Sequence, residues 1–215
     1  MTRFLAIVFC ISALASCGKK EVKPLAFVGN KQIIGSDTIY HTIPNFSFVN
    51  QDKDTITNTN LEGKVYVADF FFTTCPSICP IMTNNLVKVQ RAFKGNKNFA
   101  LVSHTVNPDY DKEEILSKYA AKMHANTENW HFLTGTKEAI YNSAFQGYFA
   151  NAGEDQLAPG GFLHSEYFIL VDGKGRVRSG YDKQGNAKGV YQGTNDQDVL
   201  QLIKDIKLLL KENEK

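Results

Sequence analysis

The sequence predicts an α/β domain in which helices pack against a parallel central sheet, and three observations support this fold class. Residues 65–72 form a nearly continuous apolar run, which is typical of a strand buried on both faces of a parallel sheet. A second run of this kind covers residues 99–106, and a helical pattern separates the two. An apolar hairpin and an amphipathic helix follow from residue 167 on. This order predicts neighbouring parallel strands joined by a crossover helix.

The first half of the chain begins with a predicted hairpin. Residues 43–50 alternate apolar and polar side chains, and residues 55–57 follow after a polar turn. A turn at residues 61–64 leads into the apolar strand 65–72. The helix after this strand is indicated by apolar residues at helical spacing, with Pro80 suited to its first turn and Gly95 at its end: Met82, Leu86, Val89 and Phe93.

The second half continues the alternation of strands and helices. After the strand 99–106, Asp111 and Glu114 are spaced as a capping box for a helix that carries Leu116 and Tyr119. The predicted order is then a short strand at 130–133, a helix opened by Thr136, a polar glycine-rich loop at 151–161, a hairpin with strands 167–171 and 177–181, and a final amphipathic helix at 196–211.

This order of elements is that of a thioredoxin-like fold with an added N-terminal β-hairpin and a second β-hairpin in the C-terminal half. We expect this domain to cover residues 41–215. Residues 17–40 are charged and interrupted by Pro24, Gly29 and Gly35, so they predict a tether; a first strand at 31–34 is the alternative interpretation of part of it.

The N-terminus predicts export and lipid attachment. Arg3 precedes a short apolar run, which ends in Leu14-Ala15-Ser16-Cys17-Gly18. This ending resembles the lipobox of bacterial lipoproteins. The resemblance implies a signal peptide at residues 1–16, cleavage before Cys17, a lipid on the Cys17 sulfur and a location in the cell envelope outside the cytoplasm. An ordinary cleaved signal or an uncleaved anchor is the alternative. The net charge of +2 is too small to indicate a nucleic-acid partner.

Two of the four cysteines remain for chemistry in the mature domain. Cys10 leaves with the signal peptide and Cys17 carries lipid, which leaves Cys75 and Cys79. They follow a buried strand at a predicted helix start, where the helix dipole lowers the pKa of a thiol. Three residues separate them, so their sulfurs can close a disulfide or point at one soft metal ion such as copper(I). A static disulfide is disfavoured because so small a loop contributes little stability.

A histidine is the expected third ligand, since two thiolates and one imidazole form a trigonal set for copper. The chain has five histidines: His41, His104, His124, His131 and His164. His164 ends the glycine-rich loop just before a strand, at a point that a thioredoxin-like topology places beside the cysteines. His104, in a buried strand, is a second residue that can approach the site. Zinc is chemically compatible with the same three ligands.

Two segments resemble the Sco/SenC family of copper chaperones for cytochrome c oxidase assembly: residues 72–80, Phe-Thr-Thr-Cys-Pro-Ser-Ile-Cys-Pro, and residues 161–165, Gly-Phe-Leu-His-Ser. The resemblance implies that Cys75, Cys79 and His164 bind one copper ion, as Cu(I), Cu(II) or both. It also implies delivery of copper to the CuA-containing subunit of the oxidase. The family commonly has Asp-Pro where this chain has Asn107-Pro108, which alters the charge near the site.

We therefore expect a monomeric, membrane-anchored metallochaperone rather than an enzyme. The alternative is a thiol–disulfide oxidoreductase in which Cys75 attacks and Cys79 resolves. Its substrates would be the oxidase cysteines or other exported thiols. A pure reductase has no need of His164, so this residue distinguishes the two functions.

Overall fold

The two apolar runs form adjacent parallel strands at the centre of a nine-stranded sheet. The structure is a computed structural model that describes residues 23–214. The signal peptide and Cys17 lie outside these residues. The strands are β1 (Ala26–Phe27), β2 (Lys31–Ile34), β3 (Asp37–Tyr40), β4 (Ser47–Asn50), β5 (Thr55–Thr57), β6 (Val65–Phe71), β7 (Phe99–Thr105), β8 (Trp130–Thr134), β9 (Ala152–Glu154), β10 (Phe162–His164), β11 (Tyr167–Val171), β12 (Val177–Ser179) and β13 (Tyr191–Gln192).

The helices connect these strands as the sequence predicts. They are α1 (Asn58–Leu61), α2 (Cys79–Ala92), α3 (Glu113–Lys122), α4 (Lys137–Asn142) and α5 (Asp196–Asn213), and a π-helical turn, Ser143–Gly147, extends α4. Thr136 caps α4 through its side chain, which accepts a hydrogen bond from the Ala139 N–H. No helix within residues 23–214 is long and apolar enough to cross a membrane.

The main sheet has the order β1-β12-β11-β6-β7-β8-β4-β5, with β13 paired to β11. The three strands β6, β7 and β8 are parallel, whereas β11 is antiparallel to β6. This arrangement confirms the predicted thioredoxin-like fold. Every residue of β6 and β7 is buried, which explains why both strands appear in the sequence as continuous apolar runs.

Helices cover both faces of the sheet. The β6–α2–β7 and β7–α3–β8 crossovers proceed in the same direction, so their right-handedness places α2 and α3 on one face. Phe71 packs against Tyr119 of α3, and α5 packs beside α2. Phe70 points the opposite way and meets Tyr148, which follows the π-helical turn on the other face. This alternation decides which side chains of β6 and β7 face α2 and α3 and which lie on the other face of the sheet.

The segment predicted as a tether is structured over its described part. Leu25 is buried, β1 pairs with β12, and β2 pairs with β3 as a separate hairpin. The packed domain therefore begins near Leu25 rather than at residue 41. A strand of two residues has no detectable periodicity, and the partner of β1 lies about 150 residues away in the chain. Local sequence patterns do not indicate such a pairing.

Two further differences concern the second half of the chain. The predicted loop at 151–161 contains β9, which pairs with β10 and makes a small hairpin. Asp111 does not cap α3: the N-cap position is Lys112, without a side-chain cap, and Asp111 is fully buried.

Candidate metal centre

Cys75 and Cys79 lie where β6 gives way to α2. Phe71 ends the strand, Cys75 sits in the connecting loop, and Cys79 is the first residue of the helix. Pro80 occupies the first turn of α2, where its missing N–H and fixed φ are tolerated. The Cys75 N–H donates to the Phe72 carbonyl (3.2 Å), which folds the loop back toward the strand. The sheet and the helix thus fix both cysteines from opposite ends of a short loop.

His164 comes from the β9–β10 hairpin, at the end of β10. Its register partner across the hairpin is Ala152. Phe72 packs against this hairpin. Its ring centroid is 5.2 Å from that of Phe162 and 5.6 Å from that of His164, and the Phe72 and His164 rings meet edge to face. Part of the predicted loop at residues 151–161 therefore forms the hairpin that positions the histidine.

The three side chains converge. The Nε2 atom of His164 lies 3.3 Å from Cys79 Sγ and 3.9 Å from Cys75 Sγ, and the three ligand atoms all lie within 4.8 Å of one another. The His164 Nδ1–H donates to the Ser165 carbonyl (3.2 Å). Because that bond holds the proton on Nδ1, the Nε2 lone pair faces the two sulfurs and is available to a metal ion. The group can hold one metal ion.

The two thiols differ in their readiness to ionise. Burial opposes ionisation of Cys75, but hydrogen bonds from the backbone of Cys79 and Ser77 outweigh it and lower the pKa of Cys75 to about 6. Burial raises the pKa of Cys79 well above its usual range. The expected lowering of the thiol pKa is therefore found for Cys75 and not for Cys79. Cys79 is 1% exposed, and burial disfavours its charged form.

The other four histidines lie away from the sulfurs. His104 is fully buried and packs between Phe70 and Tyr148 on the far face of the sheet, so it does not approach the site. His41 Nε2 hydrogen-bonds the Gly147 carbonyl (2.8 Å). His131 is half-buried in β8, and exposed His124 follows α3 with a φ of 56°.

Asp111 and the threonines that it holds belong to the support of the cysteine loop. The Asp111 carboxylate accepts hydrogen bonds from the Thr73 N–H (3.0 Å), from the Thr73 hydroxyl and from the Thr105 hydroxyl (2.5 Å). Thr73 lies two residues before Cys75. No local pattern predicts this contact, because Asp111 fits a helix cap equally well. The Asn107 N–H donates to Thr105 Oγ1 (3.0 Å), so Asn107 lies in the same turn as Asp111.

A second buried acid, Asp69, lies on β6 and is 2% exposed. It accepts a hydrogen bond from the Ser103 hydroxyl (2.5 Å), and Ser103 accepts one from Trp130 Nε1 (2.9 Å). Burial raises the pKa of Asp69 to about 7, although the Ser103 hydrogen bond opposes this shift.

A cleft of about 640 Å³ lies at the opposite end of β6, beside Lys64, and contains none of the three converging side chains.

The chemistry of the donor set favours a soft metal ion. Two sulfurs and one imidazole nitrogen match the preference of copper for thiolate and imidazole, and three protein ligands leave a position open to an external ligand. The same two sulfurs can instead form a disulfide, since both cysteines are free in this structure. The geometry thus supports both metal binding and thiol exchange at one place.

Known proteins resemble the chain over most of its length. The SCO1/SenC family model matches residues 36–197. The SCO1 protein homolog of Bacillus subtilis is 32% identical over 175 residues, which cover 79% of this chain and 81% of that protein. The structure of BsSco, described as a member of the Sco family of cytochrome c oxidase assembly proteins with a disulfide switch, superposes with a TM-score of 0.67 at 29% identity over 80% of this chain and 94% of that chain.

A more distant structure extends the likeness in fold. Copper-bound ScoI of Bradyrhizobium japonicum superposes with a TM-score of 0.61 at 20% identity over 79% of this chain and 99% of that chain. At this identity the likeness concerns the fold. The match of the family model over more than half of the chain, together with the Bacillus relative, identifies the family: this chain belongs to the SCO1/SenC family.

Proposed function

We propose that this chain binds one copper ion through Cys75, Cys79 and His164 and delivers it during assembly of a cytochrome c oxidase. The convergence of the three ligand atoms within 4.8 Å of one another carries this proposal. Each ligand comes from a different place in the fold: the loop after β6, the first turn of α2 and the end of β10. Membership of the SCO1/SenC family supports copper as the ion.

Delivery follows from the number and kind of the ligands. Three protein ligands leave copper open to a fourth from a partner, so the ion can pass from one protein to the other by ligand exchange without being released to water. His164 is half-buried, and the hairpin that carries it lies at the surface, so an incoming ligand can replace it first. We propose the CuA-containing subunit of the oxidase as the recipient and a monomer as the donor.

The site lies in a domain that we place outside the cytoplasm. We propose that the signal peptide is cleaved before Cys17 and that a lipid on Cys17 anchors the protein to a membrane of the cell envelope. The lipobox at residues 14–18 supports this location. In an oxidising compartment Cys75 and Cys79 stay reduced only while a reductant or a metal ion protects them, so copper loading and redox state are linked.

Copper titration of the reduced full chain in detergent tests the proposal. We expect one tightly bound copper ion per chain, and we expect His164→Ala to weaken binding by at least about tenfold, which corresponds to about 1.4 kcal/mol. His124→Asn is the matched control, because this exposed histidine has a φ of 56°, which asparagine tolerates. Equal affinity of His164→Ala and the control would refute the three-ligand site.

A second function at the same site is thiol–disulfide exchange. The lowered pKa of Cys75, the raised pKa of Cys79 and the nearness of their sulfurs favour it. The Cys75 thiolate attacks one sulfur of a substrate disulfide and releases a substrate thiolate, which takes up a proton. Cys79 then loses its proton, attacks Cys75 Sγ and releases the second substrate thiol. The substrate gains two electrons, and this chain ends as the Cys75–Cys79 disulfide.

The two functions separate in one experiment. Reduction of a small aromatic disulfide by the fully reduced chain is followed with wild type, His164→Ala and Cys79→Ser. If exchange is an activity of this site, His164→Ala retains most of the two-electron reduction, whereas Cys79→Ser stops at the mixed disulfide. Failure of wild type to reduce the disulfide would leave copper binding as the sole function of the three side chains.

A further inference from the structure

The β2–β3 hairpin leaves apolar side chains exposed on a separate two-stranded element. All four residues of β2 are exposed, and the hairpin pairs only with itself among the described strands. Ile33, Ile34 and Ile39 are 72%, 58% and 52% exposed. An isolated two-stranded hairpin is marginally stable in water and does not bury such residues by itself. Ile34 and Ile39 lie on one face of the hairpin and Ile33 lies on the other, so both faces expose apolar side chains that call for a covering surface.

Phe149 extends this surface at the base of the hairpin. Its ring is 45% exposed, and its centroid lies 4.5 Å from that of His41, which follows β3. The backbone of Phe149 has a φ of 54°, a conformation that a bulky residue adopts only when its surroundings impose it. A Cβ on Gly29 would lie 2.6 Å from the Phe149 ring, so the start of the hairpin also fits closely around this aromatic side chain.

The short link to Cys17 indicates what covers these residues. Leu25 is buried, and it is only eight positions after Cys17 in the chain, a covalent reach of at most about 28 Å. The hairpin begins four residues after Phe27, within about 14 Å of it. A lipid on Cys17 therefore keeps the hairpin within reach of the bilayer surface. Isoleucine and phenylalanine are the side chains that such a surface accepts, with polar backbone edges left in the hydrated interface.

We propose that the β2–β3 hairpin and Phe149 rest in the membrane interface and form a second contact beside the lipid anchor. The inference rests on the proposed lipid at Cys17 and is independent of copper binding. The hairpin carries a single charge of each sign, Lys31 and Asp37, so the apolar side chains and not electrostatic attraction provide the contact. One lipid-anchored end and one apolar contact together restrict the rotation of the domain relative to the membrane.

Fluorescence quenching by brominated lipids tests the contact on the full chain. The lipid mass on Cys17 is first verified by mass spectrometry, and the protein is reconstituted into phosphatidylcholine vesicles with or without brominated acyl chains. The test variant is Ile39→Trp, and the control is Leu200→Trp, which replaces a 52% exposed leucine on α5. The native Trp130 is fully buried and supplies a constant background.

We expect brominated lipid to reduce the added emission of Ile39→Trp and to leave that of Leu200→Trp unchanged. Equal quenching of the two variants, or no quenching of Ile39→Trp, overturns the proposal. A blue-shifted emission that bromine does not quench also overturns it, because it places the hairpin against protein. A chain without lipid at Cys17 removes the premise and refutes the inference, whereas copper binding by the same samples tests the proposed function separately.

Discussion

At the scale of single residues, Asp111 holds the segment that leads into the cysteine loop. We expect Asp111→Asn to destabilise the protein by about 1–3 kcal/mol, because one of the two accepting oxygens becomes a donor that faces the Thr73 hydroxyl, and the charge that strengthens the other hydrogen bonds is lost. We also expect weaker copper binding, since Cys75 follows Thr73 by two residues. Urea unfolding and copper titration measure the two effects.

The control for this prediction is Asp109→Asn. Asp109 is exposed and pairs with Lys137 at the surface (2.6 Å), so its replacement should leave both stability and copper affinity unchanged. If the two variants behave alike, the hydrogen bonds of Asp111 do not position the loop.

His104 makes the stability of the protein depend on pH. Burial lowers the pKa of His104 to about 4, although the nearby Asp69 backbone opposes this shift, and neither ring nitrogen makes a hydrogen bond of normal geometry among the described residues. Between about pH 6.5 and pH 4 the unfolded chain binds a proton at this histidine and the folded chain does not. Its contribution to stability is therefore lost as the pH falls through this window, by up to about 3 kcal/mol.

We expect His104→Phe to remove this part of the pH dependence. The variant should be at least as stable as wild type at pH 8, because it deletes two buried unpaired nitrogens and keeps a ring of similar size. Urea unfolding of both proteins at pH 5 and pH 8 gives the difference. Asp69, whose pKa is raised to about 7, acts with the opposite sign in both proteins and cancels in this comparison. An equal change in the free energy of unfolding between pH 5 and pH 8 in the two proteins would contradict the prediction.

At the scale of elements, the β9–β10 hairpin sets the position of His164, and Gly160 sets how closely that hairpin approaches Phe72. Gly160 has a φ of 79°, and a Cβ on it would lie 2.8 Å from the Phe72 ring. We expect Gly160→Ala to push the hairpin away from Phe72 and to weaken copper binding by about tenfold, or about 1.4 kcal/mol. Competition titration against a copper chelator measures this loss.

Gly161→Ala is a matched control for the hairpin. Gly161 has a φ of 84°, so an alanine there carries the same backbone strain, yet a Cβ on it would have no atom within 4 Å. Its copper affinity should stay close to that of wild type. An equal loss in the two variants would show that backbone strain, and not the contact with Phe72, governs the position of His164.

At the scale of the whole molecule, Arg178 joins both ends of the domain to the sheet. Its side chain is 1% exposed and donates to the Leu25 carbonyl (2.9 Å), to Asp172 (3.0 Å) and to Glu212 of α5 (3.1 Å). We expect Arg178→Met to destabilise the protein by about 1–3 kcal/mol, because the buried Leu25 carbonyl loses its donor and Asp172 keeps only Arg176 as a charged partner. Urea unfolding measures the loss, and hydrogen exchange should increase first at β1 and α5.

Lys88→Met is the control for this ion pair. Lys88 pairs with Asp196 at the surface, where the two side chains are 57% and 76% exposed, so its removal should cost less than about 1 kcal/mol. Similar losses for the two variants would mean that the buried position of Arg178 has no special weight in the stability of the domain.

Local patterns in the chain were enough to predict the central architecture and to choose the candidate ligands. Continuous apolar runs made β6 and β7 recognisable, because a strand buried on both faces needs apolar residues at every position. Helical periodicity did the same for α2 and α5. Cys75, Cys79 and His164 could be chosen because their residue types suit a soft metal and their flanking motifs resemble those of one family. All three converge in the structure.

Long-range contacts in the folded chain establish which residues support those ligands and where the packed domain begins. The contacts of Asp111 with Thr73, of Phe72 with Gly160 and of β1 with β12 join segments that lie about 38, 88 and 150 residues apart in the chain. Hydrophobic periodicity and capping patterns report only what lies within a few residues. Whether a carboxylate caps a helix or holds a loop depends on what packs against it, and only the folded chain brings those partners together.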